Sequence, residues 1–160
     1  MALKISIFKF LIFFCFFYSS LTFSQNIIKG NAKIIDGDTI HIGKEKIRLH
    51  GIDAPEINQI CTINNQIWKC GLESKRSLIN IILNQVVQCN ILETDKYKRA
   101  VAVCFANDLN LNRYMVKNGW AIAYRYYSLN YVIDEEFAKK RKLGIWKGQF
   151  IEPYIFRKKN

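Results

Sequence analysis

The sequence predicts an α+β domain in which a small, closed, five-stranded β-barrel carries three α-helices. Two observations point to this class. Short β-branched segments are arranged as hairpin arms, and three longer segments place apolar residues at helical spacing. The length of 160 residues is enough for one domain with a substantial core and too short for two.

The first 24 residues are typical of a secretory signal peptide. A lysine-bearing start precedes an unbroken apolar run at 10–18, and Thr22 and Ser24 are small residues at the −3 and −1 positions of a cleavage site. The alternative is an uncleaved membrane anchor, but the run is short beside the roughly 20 residues that span a bilayer. We therefore expect a leader at 1–24, a domain at 25–160, export to the periplasm or the medium, and no stable membrane insertion after cleavage.

The domain is strongly basic. The whole chain has 24 Lys and Arg against 13 Asp and Glu, a net charge of +11, and loss of the leader with its two lysines leaves +9. Such a charge attracts polyanions through counterion release and long-range steering. Charge alone leaves DNA, RNA and anionic lipid open as partners, together with a role in solubility or surface adhesion.

The predicted strands come first in the chain and again in its middle. A strand at 26–35 leads into a hairpin at 40–49 with a polar tip, and a second hairpin joins 86–92 to 100–105. An aromatic stretch at 120–127 is expected to be a short strand or an extended segment. Strands joined in this way, with helices inserted and appended, favour an OB-type barrel.

The predicted helices lie at 72–84, 108–119 and 134–143. The first has a thick apolar face, and the second begins at Asp108 or Asn110 and ends at Gly119. The third has acids in its first turn and bases in its last, as the helix dipole favours.

Four cysteines remain after the leader, and an even number in an exported chain indicates disulfides. We expect Cys61–Cys70 to close the irregular loop at 57–70. We expect Cys89–Cys104 to join the arms of the second hairpin, because opposed residues have a constant index sum and a tip at 96–97 places these two opposite each other. Zinc is disfavoured because the chain lacks a C-x-x-C pair; two free buried thiols at 89 and 104 remain the alternative.

Acids and arginines gather in the sequence around the first hairpin. Asp38, Asp53 and Glu56 lie at its two ends, with Arg48 between them, and Arg99 follows the tip of the second hairpin. Carboxylates are hard oxygen ligands suited to Ca²⁺, and arginine binds phosphate oxygens bidentately. A third carboxylate can orient or deprotonate water. These residue types fit metal-assisted hydrolysis of a phosphodiester, although such turns and surface arginines are common.

The order and spacing of these residues are more specific. The string DGDT…RLHGIDAPE…TDKYKR…NGWAIAYRYY…KLGIW resembles the staphylococcal nuclease (thermonuclease) family, over roughly 34–146, and especially exported members with extra cysteines. The resemblance implies an OB-fold with three helices and a Ca²⁺-dependent, monomeric nuclease that acts on DNA and RNA and leaves 3′-phosphate ends.

The resemblance also assigns roles by position. It implies Ca²⁺ ligands at Asp38, Asp53 and the carbonyl of Ala54, water activation by Glu56, and phosphate contacts from Arg48 and Arg99. Further substrate contacts are implied for Lys96, Tyr97, Tyr124 and Tyr126.

Two residues depart from the family pattern: Ala54 replaces Thr, and Lys98 replaces Gly in the turn before Arg99. The rival functions are an OB-type module that binds nucleic acid without cleaving it and a basic adhesion domain.

Overall fold

The structure, a computed structural model, describes residues 26–159, so the expected leader at 1–24 lies outside the described residues. The strands, in chain order, are β1 Ile27–Ile34, β2 Thr39–Ile42, β3 Glu45–Leu49, β4 Ile52–Asp53, β5 Cys61–Ile63, β6 Gln66–Trp68, β7 Val86–Thr94, β8 Ala100–Ala106, β9 Leu109–Asn110 and β10 Ile122–Ala123. The α-helices are α1 Cys70–Ile82, α2 Leu111–Lys117, α3 Val132–Lys140 and α4 Pro153–Lys159, and a 3₁₀ turn spans Gly144–Lys147.

Five strands close into a barrel. They pair antiparallel in the order β3-β2-β1-β7-β8, and a parallel pairing of β3 with β8 joins the two ends. Alternate residues of the strands point inward, so that Ile40, Ile47, Leu49 and Ala102 are fully buried. The predicted α+β class and OB-fold barrel are confirmed.

The tip of the second hairpin differs from the prediction. Asp95 lies opposite Arg99, since the Asp95 N–H donates to the Arg99 carbonyl at 2.9 Å, whereas the sequence argument paired Asp95 with Lys98. The loop therefore has three residues, and Lys98 has a positive φ of 62°. A three-residue hairpin loop of this kind needs a left-handed residue at its last position, which no index sum reveals.

A β-bulge between Ile91 and Glu93, further from the tip of the same hairpin, restores the predicted register. Each irregularity shifts the ladder by one residue and the two cancel, so Cys89 still faces Cys104. The structure joins these two cysteines and also Cys61 to Cys70, the pairing expected from the sequence.

Other elements are corrected in detail. The loop at 57–70 contains the small hairpin β5–β6, which turns at Asn64 and Asn65 with positive φ. Of the stretch 120–127 only β10 forms a strand, paired with β4. The basic C-terminal tail forms the helix α4, which sequence reasoning did not predict.

The N-cap of α2 is Asn110, one of the two residues predicted to begin this helix. Its side chain accepts a hydrogen bond from the Arg113 N–H at 2.9 Å. Within residues 26–159 no helix is long and apolar enough to cross a bilayer.

Candidate active site

The candidate site lies on the outer surface of the barrel where three short elements end. Asp38 closes the turn before β2, Arg48 lies on β3, and Asp53 lies on β4. Thr39 is opposite Arg48 in the β2–β3 ladder, which places Asp38 beside the guanidinium. The local hairpin therefore assembles most of the acids that the sequence predicted as a cluster.

Arg48 binds both buried acids. Its two terminal nitrogens donate to Asp38 Oδ1 at 3.2 Å and to Asp53 Oδ1 at 2.8 Å. Burial opposes the charge of Arg48, but the two carboxylates outweigh it and raise the pKa of the guanidinium. A guanidinium has five N–H donors, and these two bonds use two of them.

Asp38 is held on both of its oxygens. Oδ1 also accepts from the Thr39 hydroxyl at 3.0 Å, and Oδ2 accepts from the Ala54 N–H at 2.9 Å. The second bond ties the turn before β2 to the corner after β4. Ala54 contributes through its backbone, and its side chain is buried.

Asp53 has no exposed surface, and its Oδ2 has no hydrogen-bond partner among the described residues. Burial, followed by the charge of Asp38, raises the pKa of Asp53 to about 6, although Arg157 and Arg48 lower it. An unpaired carboxylate oxygen is costly in a buried position unless a cation or a proton binds it.

Asp36 joins the same cluster, and sequence reasoning gave it no role beyond the turn. Its Oδ1 accepts the Asp38 N–H at 2.9 Å. Burial, followed by the charge of Asp38, raises the pKa of Asp36 to about 7. Asp36 and Asp38 are thus two carboxyl groups of one turn whose charges repel each other.

Glu56 lies on the corner after β4 and pairs with a residue from the other end of the chain. Arg157, on α4, donates to Glu56 Oε1 at 2.8 Å and to Asp53 Oδ1 at 2.8 Å. The only sequence signal for this residue was the basic tail, which does not indicate where the tail lies.

Two glycines permit the close packing of the site on α1. A Cβ at Gly37 would overlap the Ser74 side chain, and a Cβ at Gly71 would overlap the carbonyl oxygen of Glu56. The acidic turn and the Glu56 corner therefore rest directly on the helix.

Arg99 immediately precedes β8, and its side chain is bound within its own hairpin. Asp95 Oδ2 accepts from both Arg99 Nε and Arg99 Nη2 at 2.8 Å. Among the described residues no contact joins Arg99 to Asp38, Asp53 or Glu56. Arg48 is opposite Val101 in the parallel β3–β8 ladder, so Arg99 lies two residues before that point in the sequence.

Lys96 and Tyr97 form the tip of the same hairpin. The Lys96 ammonium and the Arg99 guanidinium lie over the Tyr97 ring, 5.1 Å and 5.4 Å from its centroid. Tyr97 is 66% exposed, so solvent reaches much of this residue.

The predicted aromatic residues Tyr124 and Tyr126 follow β10, which pairs with the strand that carries Asp53. Tyr124 donates its N–H to the Gly51 carbonyl at 2.9 Å, and its ring packs against Tyr126 and Tyr127 at 6.4 Å and 5.1 Å. Burial, followed by the charge of Asp53, raises the pKa of Tyr124. Tyr126 is 82% exposed.

A family model described as "Staphylococcal nuclease homologue" matches residues 46–148. The chain belongs to the staphylococcal nuclease family. The match extends from β3 to the end of the 3₁₀ turn and includes Arg48, Asp53, Glu56 and Arg99, whereas Asp38 and Arg157 fall outside it.

Three relatives illustrate the likeness. The chain is 33% identical over 76% of its length to the succinoglycan biosynthesis protein ExoI of Rhizobium meliloti, of which it covers 66%. It is 34% identical over 79% of its length to an uncharacterized endonuclease of Haemophilus influenzae, of which it covers 70%. It is 31% identical over 79% of its length to a micrococcal nuclease of Shigella flexneri, of which it covers 78%. Two of these names support a nuclease function.

Within residues 26–159, no group of three or more His, Cys, Asp or Glu side chains is arranged to hold a metal ion. Carboxylates are nevertheless the donor type that a hard cation takes, and Asp53 Oδ2 is buried without a hydrogen-bond partner among the residues described. Soft ligands do not contribute, since the four cysteines of the domain are joined in disulfides.

Proposed function

We propose that the protein is a Ca²⁺-dependent nuclease that hydrolyses phosphodiester bonds of DNA and RNA with little sequence preference and leaves 3′-phosphate ends. The observation that carries the proposal is the pair of buried carboxylates, Asp38 and Asp53, both of which the guanidinium of Arg48 binds. Family membership and the names of two relatives support the nuclease class.

In this proposal Asp38, Asp53 and the Ala54 carbonyl hold Ca²⁺, which when bound neutralises charge on the attacked phosphate and acts as a Lewis acid. Arg48 is already fixed by two acids, so its free N–H donors are oriented before a phosphate arrives. Such pre-oriented donors stabilise the added charge of the transition state more than that of the substrate.

Glu56 orients or deprotonates the attacking water in this mechanism. Its side chain is 30% exposed, so solvent reaches it, whereas Asp53 is fully buried. Arg99 supplies a second phosphate contact after its side chain turns from Asp95. Lys96, Tyr97, Tyr124 and Tyr126 bind the flanking nucleotides through charge and stacking.

We further propose that residues 1–24 export the chain to the periplasm or the medium. The two disulfides favour a location outside the reducing cytoplasm, where such bonds persist.

The decisive experiment is cleavage of single-stranded DNA and RNA by the chain without residues 1–24, with Ca²⁺ and with a chelator. We expect cleavage only with Ca²⁺. Salt-sensitive binding without cleavage would favour the binding module instead.

A single variant tests the role of Arg48. Arg48→Lys keeps a positive charge between the acids but cannot bind a phosphate bidentately, so kcat is expected to fall about 10²–10³-fold with folding intact. Arg76→Lys, at an exposed arginine paired with Glu73, is the matched control. Equal rates for the two variants would contradict the assigned role.

A further inference from the structure

The C-terminal helix α4 brings a residue into the site from far along the chain. Arg157 donates from one terminal nitrogen to Glu56 Oε1 and from the other to Asp53 Oδ1, both at 2.8 Å. These partners are 101 and 104 residues away in sequence. The guanidinium thus joins the proposed water-activating acid to a proposed metal ligand.

The segment before α4 is docked on the loop that the Cys61–Cys70 disulfide closes. Thr62 and Gln149 exchange backbone hydrogen bonds of 2.9 Å and 2.8 Å, and Pro153 at the start of α4 is buried. The helix is therefore fixed by backbone pairing that does not involve Arg157.

Gln59 connects this docked segment to the Glu56 corner. Its side chain is fully buried, accepts the Glu56 N–H at 3.2 Å and donates to the Ile151 carbonyl at 2.6 Å. Both the backbone and the side chain of Glu56 are thus attached to the C-terminal segment.

We propose that Arg157 is a positioning residue of the nuclease site, which holds the Glu56 carboxylate for its work on the attacking water. The inference rests on the proposed function. Glu56 follows Pro55 in an irregular corner, where a long side chain has several rotamers. The bond from Arg157 to Oε1 selects one of them and leaves Oε2 to accept a proton from water.

The same guanidinium couples Glu56 to the cation site. Asp53 Oδ1 accepts from Arg48 and from Arg157, both at 2.8 Å. Asp53 Oδ1 therefore joins Arg48, the proposed phosphate-binding residue, to Arg157, and Arg157 in turn binds Glu56, the proposed water-activating acid. A shift of Arg157 changes the distance between the attacking water and the phosphate, on which the rate depends strongly.

The test compares Arg157→Gln with Lys158→Gln in the same protein preparation. Both remove one positive charge from α4, but the Lys158 ammonium lies over the Tyr154 ring, 5.2 Å from its centroid, whereas Arg157 binds Glu56 and Asp53. For Arg157→Gln we expect kcat to fall about 10–100-fold, as for other supporting partners of active-site groups, with KM changed less than about threefold. Lys158→Gln is expected to keep both constants.

Chemical rescue separates positioning from a structural role. Arg157 is 34% exposed in its side chain, so a guanidinium ion can enter the space left in Arg157→Ala. We expect guanidinium chloride at low millimolar concentration to raise kcat several-fold over sodium chloride of equal ionic strength. Loss of a docked helix would not be restored by a small ion, and the melting temperature of each variant reports such a loss directly.

The outcomes are distinct. Unchanged kcat for Arg157→Gln in an active protein would overturn the inference alone, as would a raised KM with normal kcat, which indicates a substrate contact. Faster cleavage by Arg157→Gln would show that Arg157 blocks the site, and it would also overturn the proposal. Absence of Ca²⁺-dependent cleavage by the unchanged protein would overturn the proposed function together with this inference.

Discussion

Replacing Glu135 with glutamine is expected to destabilise the domain and to do so in a pH-dependent way. Glu135 lies on α3 and is 1% exposed. Its Oε1 accepts the Ala123 N–H at 3.0 Å, and its Oε2 accepts from Arg125 at 2.7 Å and from Lys139 at 2.8 Å. Since Ala123 lies on β10, which pairs with β4, this acid also supports the strand that carries Asp53.

The expected loss of folding stability depends on which hydrogen bonds of Glu135 a glutamine can still make. Its carbonyl oxygen can still accept the Ala123 N–H, but its amide group cannot accept from two cations. Hydrogen bonds to charged groups contribute about 1.5–3 kcal/mol each when buried. Arg125 and Lys139 are 46% and 35% exposed, so solvent screens both, and the combined loss is about 2 kcal/mol. In a domain of this size that lowers the melting temperature by about 6–10 °C.

The sign of the pH dependence follows from the direction in which folding shifts the pKa of Glu135. Burial alone would raise the pKa of Glu135, but the hydrogen bonds from Arg125 and Lys139 lower it below its ordinary value. The contribution of Glu135 is therefore complete above the unfolded pKa of about 4.3 and disappears as the pH falls through the lower folded value. The difference between the two proteins should be largest near neutral pH and should shrink in acid.

Urea unfolding at a series of pH values between neutral and acid measures both effects. Glu136→Gln is the matched control, because Glu136 adjoins Glu135, contacts the same two cations and is 59% exposed. Its effect should stay within about 0.5 kcal/mol. The reasoning is refuted if the two variants are equally stable at neutral pH, or if their difference does not shrink in acid.

Three further variants test other parts of the structure. Lys98 has a left-handed backbone conformation, which costs a lysine about 1–2 kcal/mol and a glycine almost nothing. Because glycine adds about 0.5–1 kcal/mol of conformational entropy to the unfolded chain, thermal unfolding of Lys98→Gly should show a net gain in stability of about 0.5 kcal/mol. Asn112→Leu removes a fully buried amide that accepts the Cys104 N–H at 3.0 Å and donates to two carbonyls, and denaturant unfolding should show a loss of about 3 kcal/mol. Joint replacement of Cys89 and Cys104 by alanine should cost about 3 kcal/mol, and reductant should then have a smaller effect on the melting temperature than in the parent protein.

Much of the site could be predicted because it is local. Asp38, Arg48 and Asp53 fall within sixteen residues of one another, on a hairpin whose alternation of apolar residues sets the register, and that register places them together. Arg99 was expected to complete the site and is instead bound to Asp95, since the nearest opposite charge lies in its own hairpin. Such a choice between partners is made by side-chain geometry.

The second hairpin shows how a correct result can follow from an incomplete argument. The index sum paired Cys89 with Cys104 but missed both the extra loop residue at Lys98 and the bulge near Ile91. Their cancellation depends on the twist that closing the barrel requires, which is a property of the sheet and not of either strand.

The sequence by itself determined the barrel, the disulfide pairing and the acids around Arg48, because hydrophobic period, turn residues and short spacing act over a few residues. Only the tertiary structure decided that α4 returns to the site and that Arg157 reaches Glu56 and Asp53. A contact across 101 residues depends on how the C-terminal segment docks on the Cys61–Cys70 loop. No local pattern encodes that docking, since it is decided by which surfaces remain to be covered after the barrel has closed.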